Sequence, residues 1–383
     1  VNMSPLSTVV LGAALLSGSF FRAQSPEEPP EQDRRPPEGG WEITEELEDA
    51  TRAGLAYLAR TQDPEGFWRG DVGYKINSSY SPTAENAAHV GVTALATIAF
   101  FACGEVPRKG RYGKVVDRAV AWLTRQVEEN GYITTNGTRM YSHAFATLCL
   151  AEVYGMTTSD EVRSALQRSV DMIIQSQNQE GGWRYKPFAQ ESDMSITVCQ
   201  VVALRAAWNS GIHVPKKAID AAVAYVRRSA TPPGVRRIHP RWRFGPGGSS
   251  GVFRYQQGRE ARATFPLTAA GATTLYGAGI YRDPLLKRAL SFMERTFDSY
   301  NRYWGKRRHY FFYYGNYYAV QAFFIAGGRR WARYFRQVRE LLLEMQNPDG
   351  SWDCNIGPGP NFGTAVATLI LAVPFRYLPI VQR

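Results

Sequence analysis

The stretch Asp193-Met194-Ser195-Ile196-Thr197 sets an acid and two hydroxyls at alternate positions at the head of an apolar run. Two other apolar runs begin in a similar way. His89 opens 89–102, and Tyr141 with His143 opens 141–155. Tyr313, Asn316 and Tyr317 lie early in 311–326, and Asn361 heads 361–373. A carboxylate, imidazoles and phenols aimed at one point make an inventory for proton transfer, with Asp193, His143, Tyr141 and Ser195 as the candidate catalytic groups. The same residues suit a polar-lined binding cup, with His89, Tyr313, Asn316, Tyr317 and Asn361 as ligand contacts. Each also has a plain structural use. An Asp at a helix head commonly caps it, and a buried His is ordinarily a hydrogen-bonded interior residue.

These groups converge only if the apolar runs are helices standing side by side. From about residue 45 two kinds of helix alternate. In one, Leu55, Leu58 and Ala59, or Val170, Ile173 and Ile174, follow helical spacing, while Arg52, Arg60 and Arg168 occupy other faces. The other kind is apolar all round, as in "HVGVTALATIAFFA" (89–102) and "FGTAVATLILAV" (362–373), and so must be buried on every side. Pairing them gives six units. Their first helices lie near 45–62, 116–127, 160–177, 216–229, 284–298 and 334–346. Their second helices lie near 83–103, 140–155, 193–210, 263–278, 311–326 and 361–373. A period of about 50 residues signals stacked supersecondary units. With no strand-type alternation read from the sequence, the class is all-α. The apolar last hairpin would be buried by packing on the first, so the six pairs form a closed ring with an inner and an outer barrel.

A turn recurs at the end of the first helix: "QDPEGFWRG" (62–70), "QNQEGGWRY" (177–185) and "QNPDGSWDCN" (346–355). It reads as architecture. Gly ends the helix, Gln bonds the exposed carbonyls, and the Trp packs at the rim with its indole N–H on a carbonyl. An apolar-x3-Gln followed by Gly-x-Trp resembles the repeat of squalene/hopene cyclases and of protein prenyltransferase β-subunits. "YSHAFATLCLAEVYGM" (141–156), "SDMSITVCQVVALRAA" (192–207) and "YYGNYYAVQAFFIAGG" (313–328) resemble the small exported bacterial proteins with the prenyltransferase/squalene-oxidase repeat. The resemblance implies that 44–383 is one (α/α)6 toroid holding an isoprenoid or other lipid-like ligand at its centre. Cyclases of that kind protonate a polyene with Asp-x-Asp-Asp. Aligned there, this chain keeps Asp193 but has Ser195 and Ile196 at the next two positions, and a hydroxyl is far too weak an acid for an alkene. Prenyltransferase zinc needs an Asp, a Cys and a His. Asp353, Cys354 and His309 lack the family's Asp-x-Cys spacing, so no metal and no cofactor is expected.

The net charge of +11 favours acidic partners. The insertion 231–262 carries seven Arg against one Glu, interleaved with aromatics, and Arg241, Trp242 and Arg243 are its candidate ligand contacts. No nucleic-acid motif is present, and an anionic membrane surface or acidic glycan fits the charge better. Residues 1–24 read as an export signal and 25–43 as a Pro-rich linker, which places the protein in the periplasm or outside the cell. Four cysteines are too few for a disulfide framework, although Cys149 with Cys199 stays open. Three functions remain: a lipid-handling toroid, a polysaccharide lyase using Tyr, His and Arg on an anionic glycan, and a non-catalytic binding or scaffold ring. A cavity walled by aromatic and aliphatic side chains favours the first. His143 with a Tyr and an Arg at one point favours the second, and a plugged centre the third.

Overall fold

The computed structural model describes residues 41–76, 78–157, 159–232, 251–257 and 263–378. The proposed export signal, nearly all of the linker, and Arg241, Trp242 and Arg243 lie outside the described residues. Along the chain run α1 (Glu45–Thr61), strands β1 (Arg69–Ile76) and β2 (Ser79–Ala88), α2 (Val90–Ala102), α3 (Gly113–Arg125), α4 (Met140–Thr157) and α5 (Asp160–Gln175). Then come α6 (Met194–Asn209), α7 (Lys216–Arg228), α8 (Phe265–Gly277), α9 (Pro284–Gly305), α10 (Tyr310–Ala326), α11 (Gly328–Met345) and α12 (Pro360–Ala372). The even-numbered helices form the inner barrel: α2 packs on α4, α4 on α6, α6 on α8, α8 on α10, α10 on α12, and α12 back on α2. The ring is therefore closed, and its six inner helices run parallel because each is separated from the next by one outer helix.

Burial follows the sequence pattern. Every residue of α2 is buried. In α11 the buried residues are Trp331, Tyr334, Phe335, Val338, Leu342 and Met345, a stripe at three- and four-residue spacing with Arg and Glu elsewhere. The outer helix α1 starts where Thr44 accepts the Leu47 N–H (3.3 Å), with Glu45, Glu46 and Glu48 in its first turn complementing the helix dipole.

The recurring turn joins neighbouring units. Gln62 donates to Gly66 O (3.1 Å) in its own turn and to Val115 O (2.8 Å) in the first turn of the next outer helix, α3. Gln177 does the same to Gly181 O and Ala218 O, and Gln346 to Gly350 O and Ala50 O. The last of these reaches from the sixth unit to the first. The indoles of Trp68, Trp183 and Trp352 donate to the carbonyls of Leu58, Ile173 and Leu342, each ten residues earlier (2.7–2.8 Å). Their backbone N–H groups donate to Thr93, Thr197 and Thr364 on the inner helices. The glycine lies in the turn, four residues past the Gln, rather than at the helix end itself. Gly350 has φ +87, and a Cβ there would sit 2.4 Å from Ala53 O. Gly66 and Gly181 meet the carbonyls of Arg118 and Ala221 in the same way.

Several boundaries differ from those read in the sequence; α11, for one, begins at Gly328 rather than near 334. Residues 83–88 belong to β2, so α2 begins only at Val90; β1 and β2 pair antiparallel with irregularities at Val72. The alternation Val72, Tyr74, Ile76 was a strand signal, but it spans only five residues beside a Pro-containing partner. The outer helix α9 runs on to Gly305. Trp41 and Glu42, expected in the linker, pack on α11: Trp41 meets Phe335 edge-on, and Trp331 donates its indole N–H to Glu42.

Gly350→Ala is expected to destabilise the fold by about 1–3 kcal/mol through overpacking and backbone strain. Gln346→Ala should cost about 1–3 kcal/mol by leaving Ala50 O and Gly350 O short of a donor. Chemical denaturation checks both, and wild-type stability in either variant would show that the ring does not depend on this closure.

Candidate functional site

The N-terminal halves of the inner helices surround a cavity of about 1240 Å³. Leu95, Phe145, Tyr317 and Val366 lie deepest along these helices. Beyond them a void of only about 20 Å³ sits among Ile98, Leu148, Val320 and Leu369, so the ring is a cup and not a tunnel. The wall is largely aromatic, with Tyr141, Tyr185, Tyr255, Phe265, Tyr300, Trp304, Phe311, Tyr314 and Phe362 among its members. Lys75, Arg139, Arg184 and Lys186 also line it, and no Asp or Glu does among the described residues.

The β1–β2 hairpin crosses the mouth and contributes Val72, Tyr74, Lys75 and Tyr80. It is held at several points. Asp71 N–H donates to Pro358 O (3.0 Å), and Asn136 donates to Ala88 O (2.9 Å). Near its tip, Ser78 O lies 2.7 Å from His309 Nε2. His309 Nδ1 accepts the Phe311 N–H, so the proton resides on Nε2 and is donated to Ser78. Arg139 stacks on the Tyr74 ring at 3.4 Å and Lys75 on Phe311 at 4.6 Å.

Asp193 caps α6 and is fully buried behind this wall. Its Oδ1 accepts from Ser195 Oγ (2.6 Å) and the Ile196 N–H (2.9 Å). Its Oδ2 lies 3.4 Å from the Tyr255 hydroxyl, which in turn is 2.8 Å from that of Tyr185. Burial raises the Asp193 pKa, and the hydrogen bonds from Ser195 and Ile196 oppose the rise. Burial and the neighbouring Asp193 charge push Tyr185 up to about 12. Burial raises Tyr141 well above its ordinary value. At neutral pH these phenols hold their protons, so they offer hydrogen bonds and ring faces rather than bases.

Of the residues singled out in the sequence, Tyr141, Ser195, His89 and Tyr317 line the cavity, and Asp193 reaches it through Ser195 and Tyr255. The others serve elsewhere. His143 lies two residues beyond Tyr141, about 200° around the helix, and faces away from the cup. Its Nδ1 accepts the Ile133 N–H (3.1 Å) and its ring packs on Tyr132. Tyr313 donates to Asp353 O (2.6 Å). Asn316 bonds Asn301 and Tyr334 between inner and outer helices. Asn361 ties Thr61 to Arg69 O at the ring closure. Glu85 and Asn86, within the span read as the start of the second helix, are in β2. Sequence reading missed Tyr185, Tyr255, Tyr314 and the hairpin. Tyr185 stands two residues after a repeat Trp, and Tyr255 belongs to the aromatic insertion, which were the available signals.

Cys149 and Cys199 are separate free thiols in the core. Asp353 pairs with Arg308, Cys354 donates toward Ile356 O, and His309 caps α10. Among the described residues no three His, Cys, Asp or Glu side chains are grouped to hold a metal ion. None of the described helices is long and apolar enough to cross a membrane.

Residues 41–229 match the prenyltransferase alpha-alpha toroid domain. The chain is an α/α toroid. This toroid is also similar to solved structures of varied activity. A D-mannose isomerase aligns at 12% identity and TM-score 0.58, covering 87% of this chain and 98% of its own. An inactive α-1,6-mannanase variant from Salegentibacter sp. HEL1_6, in complex with α-1,6-mannotriose, aligns at 8% and 0.56, covering 85% and 98%. A type II terpene cyclase variant from Scytonema aligns at 14% and 0.50, covering 85% and 96%. At such identities the likeness concerns the fold alone. No curated protein matches the sequence.

The toroid's buried imidazoles make its stability pH-dependent. Desolvation lowers His89 to about 4 and His143 to about 3, and each accepts a backbone N–H at Nδ1. An unfolded His titrates near 6.5, so between that pH and the folded values the unfolded chain binds more protons. Stability is therefore full above about pH 6.5 and falls as pH drops toward about 4, by up to about 1.4 kcal/mol per unit for each His. His143→Asn should be less stable than wild type near neutrality yet lose less between about pH 6.5 and 4. Thermal melts across that range test this, and an equal slope in the variant would contradict it.

Proposed function

We propose that the cup binds an elongated isoprenoid-type lipid, with its hydrocarbon part against the aromatic wall and an acidic or polar end at the mouth. The supporting observation is the wall itself: aromatic and aliphatic, free of carboxylates among the described residues, with Lys75, Arg139, Arg184 and Lys186 as its charged groups. A cavity of about 1240 Å³ exceeds the usual range for small-molecule pockets. The inner helices point their positive ends at the mouth, which adds to the attraction for an anion. Burial of each CH2 contributes about 0.8 kcal/mol, so chain length governs affinity on this reading.

The sugar-directed alternatives are supported less. Glycoside hydrolysis takes a pair of carboxylates facing the bond, and the described wall holds none. A lyase needs a base, whereas His143 is turned away and the phenols are pushed up. An open cup also argues against a purely structural ring. Proton chemistry on the ligand would run through Asp193, the acid whose hydrogen bonds reach the cup by way of Ser195 and Tyr255. Burial makes it a weaker acid despite the hydrogen bonds it accepts, so polyene protonation of the cyclase kind is not part of this reading. The export read from residues 1–24 belongs to the same proposal.

Titration with a series of fluorescent isoprenoid acids and alcohols tests the reading. Affinity should rise with each added isoprene unit. Phe145→Trp, which fills the cup, should weaken acids and alcohols alike, and Arg139→Ala should weaken the acids about tenfold while sparing the alcohols. Native mass spectrometry of protein purified without detergent should show a retained lipid mass. Saturable binding of an acidic oligosaccharide, with no isoprenoid bound, would sink the proposal.

A further inference from the structure

Phe188 is an exposed side chain that the fold does not explain. It is 57% exposed and sits at φ +57, a left-handed conformation that bulky residues rarely adopt. Its loop is well anchored at both ends. Asn178 donates to Ala189 O (3.0 Å), Arg184 pairs with Glu191 (2.5 Å), and the Ser192 N–H donates to Glu180 (2.7 Å). The chain thus holds a strained backbone in place to present an aromatic ring to solvent, where it contributes no burial. Strain of this kind persists where the surroundings hold it and clusters at functional sites.

The surroundings give the ring a partner. The loop carrying Phe188 lines the cup through Arg184, Tyr185, Lys186 and Ala189, so Phe188 stands on the rim. Tyr74, 46% exposed, lines the same mouth from the hairpin, with Arg139 stacked on it. Lys186 is exposed two residues before Phe188, and Lys306 and Arg307 are exposed where the chain enters α10 at the mouth. Of the acids about the mouth, Glu191 and Asp353 are held in ion pairs with Arg184 and Arg308 and Asp71 accepts the Asn86 N–H, while Glu85 is exposed on the hairpin. The exposed aromatics at the other end of the ring have partners within the chain. Trp208 lies under Arg205, and Tyr377 packs near Gly104.

We propose that the mouth of the cup docks on an anionic lipid bilayer, with Phe188 and Tyr74 entering the headgroup boundary and Lys186, Lys306 and Arg307 on the lipid charges. Aromatic residues that are apolar at one end, set among cations, are the composition that binds an interface without spanning it. The cup would then open onto the membrane. This proposal does not rest on the identity of the cavity ligand.

Co-sedimentation of the full chain with phosphatidylcholine vesicles, with and without phosphatidylglycerol, tests it. The protein should pellet with phosphatidylglycerol-containing vesicles and be released by salt. Phe188→Gly should lower partitioning about tenfold while melting at or above the wild-type temperature, because Gly accepts this φ without strain. Lys186→Glu should weaken binding with an unchanged circular dichroism spectrum, and Trp208→Ala should bind as wild type. Equal binding to vesicles without phosphatidylglycerol, undiminished binding by both Phe188→Gly and Lys186→Glu, or no binding to either vesicle would overturn it. Retention on acidic polysaccharide with none on vesicles would overturn it in favour of a glycan surface.

Discussion

The ring hangs on a hydrogen-bonded turn whose Gln side chain bridges two units. In a helical hairpin the last carbonyls of the outer helix and the first amides after it have no partner of their own. Here the Trp indole takes one such carbonyl, an inner-helix Thr takes the Trp amide, and the Gln amide spans to the neighbouring unit. The glycine makes the approach close enough for that span, because a side chain there would strike the next helix's carbonyl. One short segment therefore stops a helix, fixes an inner helix against it and sets the angle to the next pair. Repetition around an axis then leaves a hollow at the centre.

What fills that hollow is decided by the faces the inner helices turn inward. Their aromatic residues leave room toward the N-terminal end and close it toward the other, where aliphatic side chains meet. Lys75, Arg184 and Lys186 come from the hairpin and a loop, while on these helices the hydroxyls of Ser142 and Ser195 enter at the first turns. Asp193 is a case in point: it caps α6 for structural reasons, yet its second oxygen is handed to a tyrosine that faces the cup. A structural cap and a link to the cavity are combined in one carboxyl group.

The ring was legible in the sequence because its signals are strong and repeated: helices apolar on all sides, amphipathic partners, and the Gln, Gly and Trp of the turn. The site was half legible, for a physical reason. In a helix buried all round, no polar stripe marks which face points inward, so Tyr313 and Tyr314, about 100° apart, are equivalent on paper. One bonds Asp353 O in the wall, and the other lines the cup. His143 was misplaced by the same ambiguity relative to Tyr141. Tyr185 and Tyr255 come from loops, whose course depends on what they pack against rather than on any period. The hairpin escaped because its two strands have no sheet behind them, and a largely exposed strand such as β2 carries little alternation.

Ring closure has a kinetic side. The contacts between α12 and α2, and from Gln346 to Ala50, join residues almost three hundred positions apart. Loop closure on that scale comes late, after nearer contacts have formed. During synthesis the first five hairpins would emerge as an open arc, with the flank of α2 bare until the sixth arrives. That arc displays a long apolar edge to any chaperone or translocation machinery, and a chain cut short before α12 would keep it.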